Sequence, residues 1–306
     1  MSTPNNSVNT SKQMKIAVHD GIFHADEVFA LAALKKVHEV VEIVRSRDPK
    51  ILAEVDLRVD VGGKNDPETG DFDHHQKGGA GSRENGIPYA GFGLVWKIFG
   101  PQVCGSQKVA DAVEKRLVQP IDAADCGKNL FKPEIEGVVP MTLSLVINSF
   151  NLTWQEDPAT AMAQFEKAIE LAGVILEREI ITAKAMVEAE EVVLNAISLA
   201  KENGKDYVVL GEKYVPWQEV LIPSSDAKFV LFKAPTGEWR VQAVNTALGC
   251  FDLRKKPPEA WLGKRDQDLV AVTGVEDAMF CHIAGFMAGA KSFEGAEKLV
   301  EMALAG

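Results

Sequence analysis

The sequence predicts an α/β protein with an N-terminal parallel-sheet domain, a long helical connector and a smaller C-terminal mixed α+β domain. Three observations carry this reading. Strand-like and helix-like runs alternate between Lys15 and Val61 at the spacing of a parallel βαβ unit. Residues 156–203 place apolar side chains at helical intervals. Strand-like runs then return after the Asn203-Gly204 break. The 306 residues suit two domains at roughly 150 residues each.

Taken in order, residues 1–13 are polar and read as a disordered tail; they lack the apolar core of a signal peptide. Residues 14–150 form the first domain. Within it, Lys15–His19 is a strand, and Asp26–Val37 is a helix with acidic residues first and lysines last, as the helix dipole favours. Val41–Val44 and Leu57–Val61 are further strands, and Gly62–Gly86 is a long polar loop of the kind that usually carries function. Val113–Leu117 is part of a helix leading into Ile121–Gly127. Residues 151–204 are the connector, one or two long helices in which ten acidic residues outnumber four basic ones, so much of the net charge lies away from the candidate site. Residues 205–306 form the second domain, with strands at Tyr207–Leu210, Lys228–Phe232, Trp239–Val244 and Met279–Ile283 and a closing helix at Ser292–Ala303.

Composition excludes several classes. The longest apolar run, Val28–Leu34, falls far short of the ~18–20 residues that span a bilayer, so no membrane is expected as a partner. A net charge of −11 argues against a general nucleic-acid coat, which works by neutralising phosphates. The four cysteines, Cys104, Cys126, Cys250 and Cys281, form no CxxC pair, which argues against a cysteine-rich zinc site, and are too few for a disulfide scaffold to be expected; with the polar tail this reads as a cytoplasmic protein.

The chemistry is concentrated in the first half. His19, His24 and Asp26 lie in H-D-G-I-F-H-A-D-E, Asp73-His74-His75 closes the polar loop, Asp60 ends a strand before Val61-Gly62-Gly63, and Asp122 and Asp125 lie in I-D-A-A-D-C-G. Ligands of open parallel sheets bind beyond the carboxyl ends of the strands, where His19, His24, Asp26 and Asp60 would all fall. Imidazole with carboxylate and no thiolate favours manganese, magnesium or zinc. Five or six such groups are too many for one catalytic ion and suggest a pair clamping the attacking and leaving oxygens of a phosphoryl displacement, with a bridging hydroxide as nucleophile. Asp122 stands three residues before Asp125 and is the substitute ligand if that turn is helical.

These motifs, with R-S-R-D-P (Arg45–Pro49), V-D-V-G-G (Val59–Gly63), D-F-D-H-H-Q (Asp71–Gln76), W-R-V-Q-A-V (Trp239–Val244), P-P-E-A-W-L-G-K-R-D (Pro257–Asp266) and C-H-I-A-G-F-M-A-G (Cys281–Gly289), resemble the DHH phosphoesterase superfamily. Within it they are most similar to the melanocyte-proliferating-gene (Myg-type) family, over about residues 14–304. The resemblance implies a DHH-type first domain and a metal-dependent phosphoesterase, proposed as a 3′-to-5′ exonuclease on RNA or single-stranded nucleic acid. It implies that His19, His24, Asp26, Asp60, His74 and Asp125 hold two divalent cations, Mn2+ in preference and Mg2+ as the alternative. Asp73 would then orient His74, and His75 would face the substrate phosphate. Three departures stand out: Asp20 and Cys126 occupy positions where the family pattern has Asn, and Lys77–Phe92 differs beside the site.

Substrate contacts are expected from Arg45, Arg47, Arg254, Lys255 and His282, with Trp239 and Trp261 available to stack bases at roughly 1–3 kcal/mol each. Two other readings compete. One is a hydrolase of a small phosphoanhydride or a (cyclic) dinucleotide, which the acidic balance favours. The other is a non-catalytic metal-binding regulatory protein, which predicts a missing ligand type; every type expected for a paired site is present.

Overall fold

The computed structural model describes residues 13–306. The tail expected over residues 1–13 therefore lies outside the described residues, apart from Gln13, which begins the first strand. The described residues divide into two compact units, with the division between 184 and 185.

The first unit is built on a five-stranded sheet. Its elements are β1 (Gln13–Val18), α1 (Ala25–Val37), β2 (Glu39–Arg45), α2 (Pro49–Leu52), β3 (Leu57–Val59), β4 (Asn65–Asp66) and β5 (Asp71–Phe72). After them come α3 (Gly91–Cys104), α4 (Gln107–Val113), a π-helical turn at Glu114–Val118, α5 (Gln119–Asp125), α6 (Leu143–Asn148) and the start of α7 (Ala161–Glu202). The strand order is β2-β1-β3-β5-β4; β1 pairs in parallel with β2 and β3, and β3 with β5. The edge strand β4 is antiparallel to β5.

Both β4 and β5 lie in the segment expected to be a loop throughout. Two-residue strands carry no periodicity for a sequence to reveal. What makes them is the turn Pro67–Gly70: Gly70 adopts φ +78°, and a Cβ there would stand 2.4 Å from the Asp56 carbonyl oxygen, so only glycine lets β5 run beside β3. Phe72 is then buried in the sheet. Helix α1 is buried along Ala25–Leu34, which explains its nearly all-round apolar sequence.

Helix α7 is one unbroken helix of 42 residues, and the division between the units falls inside it. Its first half belongs to the first unit, where Phe165 packs on Phe23. Farther along, Val193 and Ala196 join a core with Val208, Trp217, Leu221 and Val230.

The second unit contains β6 (Tyr207–Gly211), α8 (Gln218–Ser224), β7 (Phe229–Lys233), β8 (Trp239–Ala243), α9 (Asp266–Thr273), β9 (Ala278–Cys281), β10 (Met287–Ala290) and α10 (Phe293–Ala305). Its mixed sheet has the order β6-β7-β8-β10-β9. Strand β10 and helices α8 and α9 are additions to the expected elements. The small residues of M-A-G-A give β10 no strand signature, and its burial against Trp239 and Phe280 is a tertiary fact.

Candidate metal centre

The carboxyl ends of β1, β3 and β5 point to one edge of the sheet, and each delivers part of a cluster. His19 follows β1 directly, Asp60 follows β3, and Asp73, His74 and His75 follow β5. Asp125 ends α5. Asp60 has φ +56°, a left-handed conformation uncommon for a residue with a Cβ, while its N–H donates to the Phe72 carbonyl at 3.0 Å. The backbone therefore turns sharply where the strand ends, and the Asp60 carboxylate sits almost fully buried among three imidazoles.

The two Asp60 oxygens face different partners. Oδ2 is 3.3 Å from His19 Nε2, whereas Oδ1 is 3.2 Å from His74 Nε2 and 3.3 Å from His75 Nδ1. His19 Nε2 also lies 3.0 Å from Glu27 Oε1. His74 Nε2 lies 3.2 Å from Asp125 Oδ2, and His24 Nδ1 is 3.9 Å from Asp125 Oδ1. Three sets of donor atoms result: His19, His24, Glu27 and Asp60; Asp60, His74 and His75; and His74, Asp125 and Cys126. Asp60 is shared by the first two and His74 by the last two.

The donor chemistry fits cations. Two ligands bonded to one ion at ~2.0–2.2 Å stand about 2.9–3.5 Å apart at octahedral to tetrahedral angles, which matches the spacing here. The His19 Nδ1–H donates to the Asp20 carbonyl at 2.9 Å, which leaves the Nε2 lone pair facing two carboxylate oxygens. Asp60 Oδ1 and His74 Nε2 are buried with no hydrogen-bond partner. Such an arrangement needs positive charge between the acceptors, supplied by ring protons or by metal ions. The local field has the same sign. Burial pulls the His19 imidazole down, but Asp60 and Glu27 outweigh it and push it up to about 10. Burial likewise opposes Asp125 and Asp60 at His74, which is pushed up to about 11. Asp60, against burial and with help from Asp73, pushes His75 up to about 9.

Asp26 occupies a different place in the cluster. It is fully buried; its Oδ2 accepts from the Gly91 N–H at 2.8 Å and its Oδ1 from the Phe92 N–H at 2.7 Å, so it caps α3. Burial and the neighbouring carboxylates of Asp60, Asp125 and Asp122 hold its carboxyl well above the usual range. It stands beside the three donor sets and belongs to none of them. The residue beside it, Glu27, was not expected at the site. It is fully buried, and it accepts from the His24 N–H at 3.0–3.1 Å as half of a capping box while facing His19. The signal was legible: a Glu three residues after the cap position His24.

Other expected roles are redistributed. Asp73 accepts from the Gly63 N–H and from both the backbone N–H and Nδ1 of His75, so it orients His75 and not His74. The tight bend after β5 brings the residue two positions on, not the next one, within reach of a short carboxylate. His74 Nδ1 instead lies 3.9 Å from Cys126 Sγ. Asp122 faces away from the histidines; it pairs with Arg83 at 2.8 Å and accepts from the Gly93 N–H at 3.0 Å. Arg45 donates to the Gly21 carbonyl and lies over the Phe165 ring, and Arg47 donates to the Asp20 carbonyl and carboxylate. Both brace the loop between His19 and His24. Arg47 also borders a cavity of about 730 Å³ with Gly62, Gly63, Lys64, Asp60 and His75. Another cavity, about 290 Å³, is lined by His24, Asp26, Asp125, Ser144 and Asn148.

In the second unit, Arg254 donates to the carbonyls of Ile222, Ser225 and Ala227, and Lys255 to the Leu304 carbonyl. The Arg254 guanidinium is thus engaged by three carbonyls and Lys255 by one, so the structure gives Arg254 a bracing role in place of the expected substrate contact. Trp239 and Trp261 are buried in the core of that unit and offer no face to a base. His282 is exposed, with Nδ1 accepting from the Ala284 N–H at 3.1 Å.

Comparison with known proteins places this geometry in context. Residues 15–304 match the model of an uncharacterised protein family, UPF0160 (MYG1_exonuc). A Dictyostelium discoideum protein named MYG1 protein is 31% identical over 309 residues, covering 92% of this chain and 94% of its own. The Homo sapiens protein named MYG1 exonuclease is 30% identical over 322 residues, covering 95% of this chain and 86% of its own. A solved structure titled as a pGpG-specific phosphodiesterase, PggH, aligns over 95% of this chain at 12% identity, with a TM-score of 0.31, too low to bear on the chemistry.

Proposed function

The chain belongs to the UPF0160 (MYG1) family, and from that premise we propose that it is a metal-dependent phosphodiesterase, an exonuclease that removes nucleotides from the 3′ end of RNA or single-stranded nucleic acid. The observation that carries the reading is the Asp60 carboxylate, whose two oxygens are directed at imidazoles on opposite sides and which two donor sets share. A shared carboxylate is what a pair of cations requires.

In this reading His19, His24, Glu27 and Asp60 hold one divalent cation, Mn2+ or Mg2+, and Asp60, His74, His75 and Asp125 hold the other. Such a pair supplies a water nucleophile of lowered pKa and neutralises charge on the phosphate. The protein's own groups do the rest. The Asp20 carbonyl fixes the His19 ring so that its Nε2 stays directed at the centre, and the Asp73 carboxylate holds the His75 ring through Nδ1, the nitrogen nearer Asp60. Arg45 and Arg47 hold the His19–His24 loop in place, and Arg47 and Lys64, paired with Asp20 and Asp66 respectively, line the larger cavity where a phosphate would compete for their charge. His75, 62% exposed in its side chain, is the imidazole best placed to meet substrate.

A second reading, a hydrolase of a small phosphoanhydride or dinucleotide, is favoured by the acidic balance of the chain, with a net charge of −11. The test is hydrolysis with Mn2+ and with Mg2+ of 3′- and 5′-end-labelled RNA, single-stranded DNA, dinucleotides, cyclic dinucleotides and pyrophosphate. Stepwise shortening from the 3′ end supports the exonuclease. Turnover of dinucleotides or pyrophosphate with RNA untouched selects the second reading, and no metal-dependent hydrolysis of any of them overturns both.

A further inference from the structure

We infer that the apolar cavity beside the metal centre is the pocket for a nucleobase, the one joined through its sugar to the phosphate that is cut; the inference rests on the phosphodiesterase reading above. The cavity, about 350 Å³, lies wholly within the first unit and is walled by Leu117, Pro120, Leu130, Phe131 and Leu145. It adjoins the cavity of about 290 Å³ lined by His24 and Asp125, because Ile121, Ala124, Ser144 and Leu145 line both. A ligand with its phosphate at His24 and Asp125 can therefore extend over that shared wall into the apolar space. The turn that ends α5 makes the arrangement. Gly127 takes φ +69°, and the Lys128 N–H donates back to the Ala123 carbonyl at 2.7 Å, a helix stop in which a left-handed glycine reverses the chain. Asp125, just before the turn, stays in the metal centre, and residues 128–131, just after it, line the cavity.

Leu130 is 54% exposed, Phe131 45% and Leu145 41%. Single exposed apolar residues need no explanation, but three that line one hollow beside a charged centre do. The rest of the lining says what covers them. It contains Arg116 and Lys128 and no carboxylate, in a chain of net charge −11. Arg116 is held by Glu179 at 3.0 Å, so Lys128 is the cation that the cavity offers. Apolar walls, an open phenyl ring, one ammonium group and the Asn129 amide suit a flat heterocycle that carries negative charge. The ring stacks on the phenyl group, the amide donates to and accepts from a polar edge, and the ammonium meets phosphate. A purely apolar segment of a protein would instead cover Lys128 and Asn129 without partners, which desolvation opposes. Stacking accepts any base, because each has a π-face, so the pocket tells nucleotides from bare phosphates and not one base from another.

The test is fluorescence anisotropy with the full chain and Mn2+. The ligands are a 5′-labelled pentanucleotide with phosphorothioate linkages and the same molecule made abasic in its last two sugars. Wild type is expected to bind the base-bearing ligand roughly 5–100-fold more tightly. Phe131→Ala, its folding checked by circular dichroism, is expected to bind both ligands as weakly as wild type binds the abasic one, and Phe131→Trp to keep the preference. With 4-thiouracil in the last two positions, crosslinks are expected in residues 116–145. Equal affinity of wild type for the two ligands, binding of neither at high micromolar concentration, or crosslinks confined to other segments overturns the pocket. So does a Phe131→Ala variant that keeps the preference. The phosphodiesterase reading is decided separately, by the hydrolysis panel. The pocket can fail in a protein that degrades RNA, and base-dependent binding lost in Phe131→Ala can stand in one that hydrolyses none of the panel.

Discussion

Asp60 concentrates the argument at the residue scale. Asp60→Asn is the sharpest probe, because Asn tolerates the left-handed backbone as well as Asp does, whereas other side chains would add ~1–2 kcal/mol of strain. The variant is expected to fold normally, to bind Mn2+ at least ~10–100-fold more weakly and to lose hydrolysis in proportion. Isothermal titration with circular dichroism checks this, and a folded variant with unchanged metal affinity would sink the shared-carboxylate reading. Arg254 makes the opposite case. Because its guanidinium holds three carbonyls, Arg254→Ala is expected to cost about 2–4 kcal/mol of stability while leaving KM unchanged. A thermal melt beside a Michaelis curve separates the two; a raised KM at unchanged stability would return Arg254 to the substrate site.

At the scale of elements, the N-termini of α1 and α3 meet the buried carboxylates beside the centre. Glu27 caps α1 and also faces His19, and two substitutions separate the roles. Gln retains the capping geometry, so Glu27→Gln is expected to melt within about 0.5 kcal/mol of wild type yet bind metal more weakly; Glu27→Ala should lose the cap as well, about 1 kcal/mol more. Equal stability losses in both would show that the charge, and not the cap, holds α1. Helix α3 starts against two buried carboxylates, Asp26 and Asp122, and glycine is what lets them approach. A Cβ at Gly93 would lie 1.9 Å from Asp122 Oδ2 and 2.6 Å from Arg83 Nη2. Gly93→Ala is therefore expected to destabilise the protein by roughly 2–3 kcal/mol, measured by denaturant unfolding; a cost below ~0.5 kcal/mol would mean that the Arg83–Asp122 pair moves aside freely.

For the molecule as a whole, two units with separate cores share one chain, and the donor sets belong to the first. Mn2+ that binds only the folded form stabilises it by about 2.7 kcal/mol at a hundred times its dissociation constant. The added protection should appear in amides of residues 13–184, with EDTA reversing it, when hydrogen exchange is followed by mass spectrometry. Protection concentrated in residues 185–306 would place the metal elsewhere. Among the described residues no helix is long and apolar enough to cross a membrane, as the short apolar runs implied.

What the sequence determined by itself was local or joint in pattern. The alternation of strand and helix through Val61 announced the parallel sheet, and the clustering of His and Asp at strand ends announced an edge with the donor groups to hold cations, because both follow from periodicity and from side-chain chemistry that needs no partner. It did not determine which carboxylate serves which purpose. Asp26 and Glu27 are adjacent and chemically alike, yet one caps α3 and the other faces His19, a choice made by where α3 begins 65 residues later. Asp122 and Asp125 differ in the same way, one turned to Arg83 and the other to His74. Arg254 and Lys255 look like a basic run, and only the folded chain brings them distant carbonyls, three for Arg254 and one for Lys255. An acid's chemistry is written in its own residue, but its partner is chosen by packing across the sheet, and that is where tertiary structure decided what the sequence left open.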